Sequence, residues 1–191
     1  MATRKKQLPI VEVVTGIIMM VIVFTFGLPR YFNWLQESKI SVATSQMLED
    51  LLLARSTAIK NRHRVIVTFN AVASGYTVHE DVNGNGALDS EEPTRKTILE
   101  NGIQYGTNSK LKVTDIWGHD ALGKNPIALI DGGHRIVFNT QGQANTSGAI
   151  YLVPIDEAEI RNDYLRAIRI IRTTGSIHVM KFTANASPPW K

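Results

Sequence analysis

Between Leu8 and Leu28 the chain reads LPIVEVVTGIIMMVIVFTFGL, and Glu12 is the single charge in those 21 residues. A helix rising about 1.5 Å per residue over this stretch reaches about 30 Å, the thickness of a bilayer's hydrocarbon layer. Thirteen of its residues are Leu, Ile, Val or Phe. At roughly −0.3 to −0.6 kcal/mol each they favour insertion by about 4 to 8 kcal/mol. A central carboxylate would cost about 3 kcal/mol, and less near the segment's end, where Glu12 lies. Insertion wins. Arg4, Lys5 and Lys6 stand just before the span, and the positive-inside rule keeps them cytoplasmic, so the long C-terminal part is exported. The apolar run is too long for a secretory signal's core and no Ala-x-Ala site follows it, so it is expected to stay as an anchor.

Past Pro29 the pattern turns amphipathic. Tyr31, Trp34, Leu35, Ser38, Val42, Ser45, Leu48, Leu51, Leu52, Ala58 and Ile59 recur in steps of three and four, which predicts one apolar helix face. Glu37, Lys39, Glu49, Asp50, Arg55 and Lys60 are expected on the opposite side. Pro29 lacks a backbone N–H, and because periodicity resumes at once it is expected to kink the helix rather than end it.

An apolar N-terminal segment with Glu12 near its start and Pro29 seventeen positions later resembles the type IV pilin and type II secretion pseudopilin family. The phrase Ser45-Gln-Met-Leu-Glu-Asp-Leu-Leu-Leu-Ala-Arg-Ser-Thr-Ala-Ile-Lys-Asn-Arg62 is similar to the GspH/FimT branch of minor pilins and pseudopilins. So are Ile136-Val-Phe-Asn-Thr-Gln-Gly-Gln143 and Thr174-Gly175-Ser-Ile-His-Val179. The resemblance implies an α+β, pilin-like fold: a long N-terminal helix, membrane half plus amphipathic exported half, packed on antiparallel β-sheet. It divides the chain into a basic leader (1–7), a transmembrane helix segment (8–29), the amphipathic continuation (30–62) and a β-rich exported domain (63–191).

The same resemblance implies a filament subunit of a type IV pilus or a type II secretion pseudopilus. The chain would sit in the bacterial inner membrane with its N-terminus cytoplasmic and its C-terminal domain periplasmic or in a surface filament. Implied partners are other pilins or pseudopilins, the inner-membrane assembly platform, membrane lipid and the prepilin peptidase. Glu12 and Pro29 are the implied assembly residues, with Glu12 neutralising a neighbour's N-terminal amine. Opposite charges in a low-dielectric layer attract strongly, and an unpaired one is penalised. The family's peptidase cuts after glycine, whereas Gln7 precedes Leu8-Pro9 here. Cleavage and N-methylation at Leu8 therefore do not carry over directly and stay open, as does the choice between pilus and secretion system.

Beyond Arg62 short β-branched runs alternate with turns: Arg64–Phe69, Tyr76–His79, Lys96–Leu99, Lys110–Trp117, Arg135–Asn139, Ala149–Val153, Arg166–Arg172 and Ser176–Phe182. They predict antiparallel strands, with Asp131-Gly132-Gly133 and Thr173-Thr174-Gly175 as hairpin tips. The segment Asp156–Arg172 also fits helical spacing and stays ambiguous.

Asp81-Val-Asn-Gly-Asn-Gly-Ala-Leu-Asp-Ser-Glu-Glu92 matches the twelve-residue EF-hand ligand pattern. Calcium takes six to eight oxygens, here expected from Asp81, Asn83, Asn85, the Ala87 carbonyl, Asp89 and Glu92, with Gly86 at the sharp turn and Leu88 as inward anchor. Strands rather than helices flank the pattern, so a stiffened loop is expected and not a sensor. Two Asn-Gly pairs also suffice for a polar turn, and the sequence leaves both readings open.

Catalytic constellations are missing: Gly-x-Ser-x-Gly, His-Glu-x-x-His and the P-loop do not occur, and an enzyme is not expected. The chain has no cysteine, which removes disulfides and thiolate chemistry. Net charge is +4, with Arg4, Lys5 and Lys6 contributing heavily. Arg161, Arg166, Arg169, Arg172 and Lys181 could line up as a phosphate-binding strip, yet Asp156, Glu157, Glu159 and Asp163 lie among them. Nucleic acid is thus not an expected partner. A membrane-anchored DNA-capture or calcium-stabilised binding domain outside any filament is the alternative.

Overall fold

A computed structural model describes residues 10–99, 102–106, 116, 126–131, 133–155, 164–183 and 189–191, with Pro29 by its backbone alone. Two compact units divide the chain, the first ending at Ser38 and the second running Lys39–Lys191. The long helix α1 covers Ile10–Asn61 and does not end at Pro29. No Gly or Pro interrupts it from Arg30 onward. It stops where Arg62 takes a left-handed φ of 58°, the conformation that ends many helices, and Arg64 opens the first β-branched run.

Among the described residues nine strands follow: β1 (Arg64–Asn70), β2 (Gly75–Asp81), β3 (Thr94–Ile98), β4 (Ile103–Tyr105), β5 (Ile127–Leu129), β6 (Arg135–Phe138), β7 (Gly148–Pro154), β8 (Arg166–Ile171) and β9 (Ser176–Lys181). They form two antiparallel sheets rather than one. The first has the order β3-β2-β1-β6; the second runs β4-β7-β8-β9, with β5 also paired to β7. The expected α+β architecture is what the structure shows. Asp131–Gly133 is not a hairpin tip: β5 before it pairs with β7, and β6 after it pairs with β1. That stretch carries the chain from one sheet to the other. Thr173–Gly175 is a true hairpin turn between β8 and β9. The expected strand at Lys110–Trp117 lies outside the described residues apart from Ile116, and so does the ambiguous 156–163. Arg166–Ile171 is strand.

Within the second unit the helix buries Ile40, Ala43, Met47, Leu51, Ala54 and Ala58 against Val65, Val67, Phe69, Tyr76, Ile136, Ile150 and Ile168 from both sheets. Each large aliphatic among them contributes about 1.5–3 kcal/mol. This face differs from the expected one. Val42, Leu52 and Ile59 are exposed, as is Ser45, whereas Asp50, assigned to the solvent side, is buried. Small Ala43, Ala54 and Ala58 let the sheets approach closely, and Asp50 is drawn in by partners. Its Oδ2 accepts from the Tyr76 hydroxyl at 2.7 Å and from Thr97 Oγ1 at 3.3 Å, while Arg95 pairs with Oδ1. Burial above all, then the bond to Asp50 and its charge, push the Tyr76 phenol well above its ordinary pKa. Tyr105 is pushed up too, by burial and then by Tyr76.

Side chains on the other face of the second sheet make a further core of Ala149, Tyr151, Val153, Leu165, Ala167, Phe182 and Trp190. Trp190 meets Phe182 and Tyr151 with ring centroids 5.1 and 5.7 Å apart.

Candidate functional site

Glu12 lies in the first turn of α1, and its carbonyl accepts from Thr15 Oγ1 at 3.1 Å. Around it stands the long apolar surface expected from the sequence: Ile10, Val11, Ile17, Met19, Val23 and Phe26 are all more than half exposed. The helix is long and apolar enough to cross a membrane, and none of its apolar window is buried within the protein. That separates it from an ordinary core helix, which would spend such a face on its own domain. Pro29 falls inside this helix; Gln7 and Leu8 lie outside the described residues.

At the other end, the three phrases that resemble one branch of pilins converge on Arg55. Its Nε donates to the Gly142 carbonyl at 2.9 Å and its Nη2 to the Thr174 carbonyl at 3.0 Å. Gln143 Nε2 donates to the Thr173 carbonyl at 3.2 Å, linking the two turns directly. Gly175 has φ +61°, and a Cβ there would come within 1.8 Å of the Gly142 oxygen. At Gly142, φ +76°, a Cβ would reach 2.7 Å from Ile59 Cδ1. The crossing therefore admits only glycine at Gly175. Charge alone places Arg55 on the solvent side; in the structure it is the fastening between the helix and a turn of each sheet.

The Asp81–Glu92 loop connects β2 to β3 at the border of the first sheet. Asp81 Oδ1 accepts from the Gly86 N–H at 3.2 Å, Asn83 Oδ1 from the Asn85 N–H at 2.9 Å, and Asn85 Oδ1 from the Ala87 N–H at 2.7 Å. Glu92 folds back over the loop, its Oε1 accepting from the Val82 N–H at 2.8 Å. Asp89 Oδ2 accepts from Asn83 Nδ2 and Asn85 Nδ2, at 2.6 and 2.8 Å. So Asn83, Asn85 and Asp89 are linked side chain to side chain, while Asp81 and Glu92 each bond backbone N–H groups of the loop. Leu88 is not an inward anchor, since it is 57% exposed; the described strands offer it no second loop to pack on.

Two arginines missed from the sequence hold this loop. Arg64 Nη2 sits 2.7 Å from Asp81 Oδ2, an ion pair whose angle falls short of a hydrogen bond. It also donates to the Gly84 carbonyl, and Arg135 Nη1 donates to that of Gly86 at 3.1 Å. Among the described residues no three His, Cys, Asp or Glu side chains close on a common point. A cation here would depend on amide and carbonyl oxygens as well. The donor set suits a hard cation in kind and number, but its members are already engaged by bonds within the loop, and Asp81 by Arg64.

Among the described residues the supposed phosphate strip does not form. Arg166 is buried and donates to the Leu165 carbonyl at 3.3 Å. Arg169 stands three residues from Arg166 in β8 and thus on the opposite face. Arg161 lies outside the described residues.

The family described as type II transport protein GspH matches residues 43–174, a stretch that begins on the packed half of α1 and ends at the Thr174 turn held by Arg55. This chain belongs to the GspH family. As a GspH-family protein it has a minor pseudopilin or pilin role, in a family that is structural rather than catalytic. With its apolar helix it is a membrane-anchored, single-pass protein. Solved structures similar to this GspH-family chain include the minor pseudopilin EpsH of the Vibrio cholerae type 2 secretion system, at 14% identity over 75% of this chain and 97% of that one (TM-score 0.47). A second EpsH structure gives 14%, 75%, 96% and 0.48. The type IV minor pilin FimU of Pseudomonas aeruginosa gives 12% identity over 81% and 93%, with a TM-score of 0.47. No curated protein matches the sequence. The family assignment rests on the sequence match over residues 43–174, not on these likenesses.

Proposed function

We propose that this GspH-family protein enters a type IV pilus or type II secretion pseudopilus through the Ile10–Leu28 face of α1, with Glu12 as the charge that registers it against its neighbours. The carrying observation is the exposure of that face along its whole length around a lone carboxylate. Buried beside another subunit's helix, the carboxylate needs a cationic partner, and an N-terminal amine is the partner the pilin resemblance supplies. The Lys39–Lys191 unit is carried on the exported side, with Arg4, Lys5 and Lys6 cytoplasmic. Assembly platform, other pilins and prepilin peptidase are the proposed partners. Glu12→Ala is expected to insert into membranes normally yet fail to co-purify with filaments. Normal incorporation of that variant would favour a solitary tethered domain. Mass spectrometry of the native N-terminus reads cleavage after Gln7 and methylation of Leu8 together.

We further propose that the Asp81–Glu92 loop takes calcium weakly. Asp81, Asp89 and Glu92 bring three negative charges, while Arg64 and Arg135 already contribute two positive ones. That charge balance argues for the weak, extracellular range of about 10⁻⁴ to 10⁻³ M. Titration calorimetry of the full chain in detergent should show binding in that range, abolished by Asp81→Ala. No heat at about 10 mM calcium, well above that range, would leave the loop a plain polar turn.

A further inference from the structure

Just past the apolar span, three aromatic side chains stand open: Tyr31 is 55% exposed, Phe32 58% and Trp34 63%. Tyr31 meets each of the others, its ring centroid 6.0 Å from that of Phe32 and 6.2 Å from that of Trp34. At about 100° per residue they spread over roughly 160° of the helix surface. A stripe meant for one partner helix is narrower and keeps to steps of three and four. Ile10–Leu28 would cross about 28 Å, and the aromatic turn lies about 5–9 Å further along. The headgroup layer occupies about 5–8 Å on each side of the hydrocarbon. Tyr31 and Trp34, flat rings with one polar edge, favour that layer, with Phe32 packed on Tyr31 beside them. Arg30, next to them in sequence, can extend its guanidinium to phosphate there.

We propose that Tyr31, Phe32 and Trp34 form a collar that docks in the lipid headgroup layer at the exported surface and sets how deeply α1 sits. Breadth of the aromatic sector and continuity with the apolar span both select lipid over a second protein chain. The inference rests on the membrane-anchored reading, but it fails or stands separately.

The test uses the full chain in phosphatidylcholine liposomes, comparing wild type with Trp34→Phe so that the difference in emission belongs to Trp34. Lipids brominated near the glycerol should quench that difference more strongly than lipids brominated near the chain ends. Stronger quenching by the deep label, or none by either, overturns the collar. Resistance to alkaline extraction, measured on the same vesicles, reports the anchor by itself; its loss would strike the membrane reading instead. Because the chain contains no cysteine, Leu28→Cys gives a single labelling site. Water-soluble maleimide should react with it several-fold faster once Tyr31, Phe32 and Trp34 are changed together to alanine. An unchanged rate in that variant also overturns the proposal.

Discussion

Two loops of this protein are fastened by the same chemistry and bear different loads. At the Arg55 junction a guanidinium on the helix grips the carbonyls of Gly142 and Thr174, one turn from each sheet. At the Asp81–Glu92 loop Arg64 and Arg135 grip the carbonyls of Gly84 and Gly86. The first has no spare volume: Gly142 and Gly175 are buried and nearly touch. The second is open, and a Cβ at Gly86 would meet nothing within 4 Å. An arginine on a carbonyl thus tells little by itself. What matters is whether the turn it holds is wedged between other elements.

Gly175→Ala breaks the comparison hardest. Its Cβ would land on backbone at a positive φ, and a loss of more than about 3 kcal/mol is expected in urea unfolding. Arg55→Ala comes next, at about 2–3 kcal/mol, since two carbonyls lose a charged donor. Arg55→Lys should recover less than half of it, because an ammonium cannot reproduce the planar fork. Arg64→Ala should cost about 1–3 kcal/mol: Arg64 is itself 43% exposed, but its loss leaves the fully buried Asp81 carboxylate without its cation. Calcium binding to that variant should tighten measurably in calorimetry as the competing charge leaves. Gly86→Ala should cost only about 1 kcal/mol, the strain of its φ of 75° alone.

Alkaline pH adds a final, smaller contrast between core and loop. An unfolded tyrosine ionises near 10, whereas Tyr76 in the folded chain holds its proton to higher pH. Above pH about 10 the unfolded state therefore binds fewer protons, and stability falls as pH rises. Below that it is flat with respect to this group. Tyr76→Phe should lessen the alkaline fall measured by thermal unfolding.

The helix, its apolar half and most longer strands were legible because each is a local pattern: a hydropathic run, a period of three to four, a β-branched stretch between turns. The twelve-residue loop pattern is local too, and the structure ties its side chains into hydrogen bonds within the loop. What escaped depended on partners distant in sequence. Asp50 looks solvent-facing until Tyr76 and Arg95 are placed beside it, 26 and 45 residues away. Ile103–Tyr105 and Ile127–Leu129 are three-residue strands, too short for an alternation to show. The division into two sheets follows from β6 pairing with β1 rather than β5, a choice written in no single segment. Arg55 could have been suspected only from the resemblance of three separate phrases that share it.

Every residue of β7 is buried, with Ile150 and Leu152 in the helix-side core and Ala149, Tyr151 and Val153 in the outer one. Its backbone is flanked by β4 and β5 along one side and β8 along the other. Neither core can open without exposing this strand, so the two are bound to melt as a single cooperative unit. The amides of Ile150, Tyr151 and Leu152 should be the last in the molecule to trade their protons for deuterium.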